Sequence, residues 1–100
     1  MFIVFGFILE VVKKSKEVYF SSYSAAVQAA RLGAEEMGYV VDEDDWFREV
    51  TTGAGKPAVG QSHNIKSIGL SRDGKPQRKA LHIQIYGMES GRYELNYYVA

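Results

Sequence analysis

Apolar and polar residues alternate most regularly at the C-terminal end of the chain. Leu81, Ile83, Ile85, Tyr93, Leu95, Tyr97 and Val99 share one parity, and His82, Gln84, Tyr86, Arg92, Glu94, Asn96 and Tyr98 share the other. A period of two predicts a pair of strands with one face on a core and the other in water. The stretch between them, "GMESG", is bounded by glycines and reads as the hairpin loop. Pairing Tyr86 with Arg92 across it would place Gln84 opposite Glu94 and His82 opposite Asn96. Upstream, Asp73-Gly74 is a strong two-residue hairpin signal, so a third strand is predicted from about His63. Ile65 and Ile68 can share a face of that strand only across a bulge, expected near Lys66 or Ser67.

A different period rules "SSYSAAVQAARLGAEEMG". Val27, Ala30, Ala34 and Met37 recur at helical spacing, with Ala26 and Gly33 on the flank. Ser22 or Ser24 would cap the start, and Gly38 would end the helix in the left-handed region. A stripe so poor in large side chains suits close packing on a sheet. Next, "VDEDDWFREV" reads as a short second helix. Asp42 is its expected N-cap, Asp45 lies at the third position, and Trp46, Phe47 and Val50 form its expected buried side. The four acids 42–45 also invite a divalent-cation reading. They lack alternating ligands, a central glycine and a distant glutamate, so the helix start is the better account.

"MFIVFGFILEVV" opens the chain with aromatic and β-branched residues that favour a buried strand over about 2–12, followed by a turn at Lys13–Lys16. The lysines follow the apolar run instead of preceding it, unlike a signal peptide, and Glu10 interrupts the run too early for a membrane helix. No membrane role is expected. "EVYF" can add a short strand. These elements predict an α+β fold: one domain over residues 1–100, with an antiparallel sheet made of the N-terminal strand and the C-terminal three-stranded meander. One α-helix covers one face, and the Asp42–Val50 element closes an end.

Composition alters the picture little. The 100 residues are 46% hydrophobic, which opposes disorder, and hold no cysteine, which removes disulfides and suits a cytoplasmic setting. The formal charge is zero, so bulk attraction to polyanions is missing. Residues 1–50 nevertheless carry five Lys/Arg against nine Asp/Glu, whereas residues 51–100 carry seven against three. That split would orient a partner or favour a homo-oligomer.

The stretch "TTGAGKPAVG" resembles a phosphate loop only superficially. Such a loop needs a glycine five residues before its Gly-Lys pair and Ser or Thr after it; here Val50 and Pro57 occupy those places. The favoured reading is a mobile connection that touches nothing, with Lys56 as a candidate backbone contact to nucleic acid.

Chemistry concentrates on the polar strand face. Its candidate interaction surface is Tyr86, Tyr98, Glu94, Asn96 and His82. Tyrosines there can bury broad amphipathic area on a partner. The leading expectation is therefore a non-catalytic protein-interaction module. The alternative is single-stranded nucleic-acid binding, with Lys56, Arg72, Lys75, Arg78 and Lys79 on phosphates and tyrosines on bases. His82 and Glu94, diagonal in the register above, are the only hint of proton chemistry, and His63 stands alone. No catalytic residue, metal or cofactor is assigned.

"GKPAVGQSH" and "DGKPQRKALHIQIYGMESGRYELNYYV" resemble short accessory proteins encoded by tailed bacteriophages, over residues 38–100. The resemblance implies a cytoplasmic or virion-associated protein of the phage cycle that binds a host or phage protein. It assigns no residue a role.

Overall fold

The computed structural model describes residues 18–51 and 55–100. The expected strand over 2–12 and the turn at Lys13–Lys16 lie outside the described residues. The described chain is α+β, with an antiparallel, curled sheet backed by one main helix and a short second one. Its strands are β1 (Tyr19–Phe20), β2 (Val40–Val41), β3 (Ser62–Arg72), β4 (Lys75–Gly87) and β5 (Tyr93–Val99). They lie in the order β1-β5-β4-β3-β2, each neighbouring pair antiparallel. Among the described residues β1 and β2 lie at opposite edges, so helix α1 (Tyr23–Glu36), which joins them, crosses one face of the sheet.

Both ends of α1 are chemically specified. The Ser22 hydroxyl accepts a hydrogen bond from the Ala25 amide at 3.1 Å. At the other end Gly38 takes φ +95°. The Gly38 amide then reaches the Glu35 carbonyl and the Tyr39 amide reaches that of Ala34, which closes the last turn as a Schellman motif. The inward stripe holds Ala26, Val27, Ala30, Gly33 and Ala34. Met37, expected on that stripe, occupies the C-cap position and is 39% exposed. The small residues let the sheet approach. Leu81, Ile83 and Ile85 of β4 and Leu95 of β5 fill the space beneath, all at 5% exposure or less.

The predicted bulge is present. Ile65 pairs with Ile83 and Ile68 with Leu81, leaving one unmatched residue on β3, and Ser67 adopts φ +64°. Both isoleucines are thereby buried. A second irregularity follows between Gly69 and Ser71, where β4 carries extra residues opposite β3. Asp73 and Gly74, both at positive φ, close the hairpin between Arg72 and Lys75 as a type I′ turn.

Helix α2 (Glu43–Trp46) widens into a π-helical turn at Phe47–Thr51. Asp42 caps it as predicted, accepting from the Asp45 amide at 2.9 Å. Trp46 is buried, but Phe47, expected beside it, is 62% exposed. Consecutive helical residues point about 100° apart, so the inward position taken by Trp46 excludes its neighbour. α2 also finishes the sheet edge where β2 stops. The Gly69 amide donates to Asp45 Oδ2 at 2.8 Å, and the Gly69 carbonyl accepts from the Asp42 amide at 2.9 Å. Two edge groups that would otherwise face water are satisfied.

Candidate functional site

The outer face of the sheet, opposite α1, carries the polar parity of β4 and β5. Its register differs from the expectation by two residues. Tyr86 pairs with Glu94, Gln84 with Asn96, and His82 with Tyr98. The cause is the loop: the Met88 amide bonds to the Arg92 carbonyl and Gly91 takes φ +80°, so Arg92 belongs to the turn rather than to a strand. A shift of two preserves which residues face outward but changes who meets whom.

That change divides the predicted surface. At one end, Tyr19 of β1 pairs with Glu94, which faces Tyr86, which faces Ser62. The next row holds Asn64, Gln84 and Asn96. Val18, Ser62, Gln84, Tyr86, Glu94 and Asn96 line a shallow open depression. Tyr19 is 50% exposed and Tyr86 39%. The Arg92 guanidinium lies 5.7 Å from the Tyr19 ring centroid, a cation–π contact that caps this end. Tyr19 was missed because a two-residue strand offers no alternation from which to read a face.

At the other end, His82 stacks on Tyr98 with centroids 4.8 Å apart and planes at 10°. His82 Nε2 lies 3.3 Å from the carbonyl of Ala100. His82 is thus engaged with Tyr98 and the chain end, and Glu94 lies opposite Tyr86. The diagonal His82–Glu94 arrangement does not form.

The basic residues also separate. Arg72 donates from Nη2 to the Met37 carbonyl at 2.6 Å and lies 4.1 Å over the Tyr39 ring. It closes the C-terminal end of α1, a role its sequence position did not announce. Lys75, Arg78 and Lys79 are exposed and form no ion pair among the described residues. Lys56 is exposed on the loop, away from this trio in sequence.

The glycine-rich connection is not without contacts. The His63 imidazole, from Nδ1, meets the Gly55 carbonyl at 2.7 Å and stacks beside Tyr23 at 6.0 Å. With a carbonyl as acceptor, Nδ1 must carry the proton. Burial pushes the nearby Tyr23 phenol above its ordinary value. The Gly60 amide bonds to the Gly87 carbonyl, and the Gly87 amide to the Gln61 carbonyl. Residues 55–61 are therefore held against β3 and β4, and the expectation that this loop touches nothing is corrected for them.

Three of the four acids in the acidic run, Asp42, Glu43 and Asp45, serve structure. Glu43 pairs with Arg31, whose guanidinium also contacts Glu35 and lies 5.0 Å from the Trp46 ring centroid. The Gly69 amide, then Arg48, hold the Asp45 carboxyl below the usual carboxylate range. Among the described residues no cluster of three His, Asp or Glu side chains could hold a metal ion, and no helix is long and apolar enough to cross a membrane. No family model, curated protein or solved structure matches the chain.

Proposed function

We propose that the chain is a non-catalytic protein-interaction module whose recognition patch is the Tyr19–Tyr86–Glu94 end of the outer sheet face. One observation carries this reading. Exposed Tyr86 lines a depression whose polar side chains, Gln84, Glu94 and Asn96, spend no hydrogen bond on one another, and exposed Tyr19 pairs with Glu94 on the neighbouring strand. Such a surface offers aromatic area at small entropic cost beside open donors and acceptors, the composition of a protein contact with a few dominant residues. The separation of His82 from Glu94 supports binding over proton transfer. The phage resemblance suggests a host or phage protein as the partner, and a second copy of the chain fits the same description.

A photo-crosslinking residue placed at Gln84 tests this in the lysate of the source cell. It should trap one discrete protein, and Tyr86→Ala should weaken capture about 30-fold, the cost of losing roughly 2 kcal/mol at a dominant contact. The same probe at Gln28, exposed on the helix side, should trap nothing. Equal capture from both positions, or none from either, refutes the proposal. Size-exclusion chromatography with light scattering separates self-association from a foreign partner.

A further inference from the structure

We infer that the β3–β4 hairpin end is a second binding site, built for single-stranded nucleic acid and distinct from the Tyr86 patch. Tyr86 lies seven residues along β4 from Lys79, about 23 Å at strand spacing. Three cations, Lys75, Arg78 and Lys79, stand exposed with no ion pair among the described residues. The extra residues that β4 carries between Pro76 and Ala80 include Arg78 and Lys79, so the bulge takes both off the paired ladder. Asp73 is the only carboxylate between residues 62 and 88.

The zero net charge does not oppose this. Charges are screened within about 10 Å at 0.1 M salt, so a phosphate responds to its neighbours and not to the total. Of the α2 acids, Glu43 and Asp45 are already paired with Arg31 and Arg48.

Aromatic chemistry decides between an acidic peptide and a nucleic acid. Three residues beyond Lys79, about 10 Å along the strand, lies the His82–Tyr98 stack, with Tyr98 52% exposed. A run of carboxylates gains nothing from a planar pair, and a peptide can use one only where it carries a ring of its own. A base does gain from one, because every base carries a π-face that can extend the stack. A duplex keeps its bases stacked inside, so the platform selects single strands.

The test is fluorescence anisotropy with labelled oligothymidine, a matching duplex and polyglutamate, using the full chain. The single strand should bind most tightly. The slope of log K against log salt should be near −2, about 0.7 for each of three neutralised phosphates. Arg78→Glu/Lys79→Glu should abolish binding while circular dichroism stays unchanged. Tyr98→Ala should weaken it roughly 5- to 150-fold, the loss of one base stack, whereas Tyr98→Phe should retain it. Absence of binding at low salt, equal binding of the duplex or polyglutamate, or indifference to the charge reversal overturns the inference. In the hairpin variant, loss of oligothymidine binding with Gln84 crosslinking intact supports two separate sites, and loss of both functions overturns their separation.

Discussion

Gly33 sits in the interior of α1, where glycine ordinarily costs about 1 kcal/mol relative to alanine. The Tyr97 ring explains its presence, because a Cβ at Gly33 would coincide with the phenol's hydroxyl end. Restoring helix propensity therefore overpacks the interface between α1 and β5. Gly33→Ala should lower stability by about 1–2 kcal/mol net, read as a lower urea midpoint at unchanged slope. Gly87 poses the same problem for a loop. A Cβ there would lie 2.5 Å from the Ala58 carbonyl oxygen. Gly87→Ala should release residues 57–61, visible as faster hydrogen exchange at Gly60 and at residue 87, with little change in global stability. A composition scan registers both glycines but not the ring or carbonyl each accommodates, since those partners lie 64 and 29 positions away in the chain. Ser67 is the complementary case. The alternation of Ile65 and Ile68 located its bulge, because burying both demanded an extra residue.

At the scale of elements, α2 shows what a side chain can do beyond capping. The Asp42 cap was legible, being a local pattern; the bond from Gly69 to Asp45 was not, being a contact across 24 positions. The hairpin register was legible only to its parity, because face assignment needs alternation alone whereas pairing needs the loop's length and turn type. Asp45 also gives the fold an acid limit. Its carboxyl is depressed by the Gly69 amide and then by Arg48, and that of Glu43 by Arg31. Groups with lowered folded values contribute stability above their unfolded values, near pH 4, and lose it as pH falls through the folded ones. Stability should thus be flat near neutrality and fall below about pH 4. Asp45→Ala should flatten that fall. It should also lower stability at neutral pH by about 1 kcal/mol, the net worth of one hydrogen bond, because water can replace Asp45 at the part-buried Gly69 amide. Urea midpoints across the acid range check both; an unchanged acid limb in the variant would assign the loss elsewhere.

The whole molecule is organised around β4. It is the middle strand of the described sheet, flanked by β5 and β3, and it alone contributes Leu81, Ile83 and Ile85 at 1% exposure or less. Periodicity gave those residues their inward face, but no local signal could give strand order. The position of β1 beside β5 and of β2 beside β3 follows from α1 spanning the sheet between its two edges. Centrality predicts a gradient of stability. Amides of β4 between Leu81 and Ile85 should exchange only through global unfolding, while those of α2 and residues 55–61 exchange first, each resting on few buried side chains. The same logic separates neighbours in sequence. Ile83→Ala removes a branched side chain at 1% exposure and should cost about 2–5 kcal/mol. That is a large part of the roughly 5–15 kcal/mol that holds a small protein folded. Gln84→Ala, one residue on and facing outward, should change stability by no more than about 0.5 kcal/mol. Measured together by urea denaturation, the two report whether β4 lies between a core and a free surface. Comparable losses at both positions would mean that the outer face is itself buried, and the two binding sites proposed there would then have no surface to use.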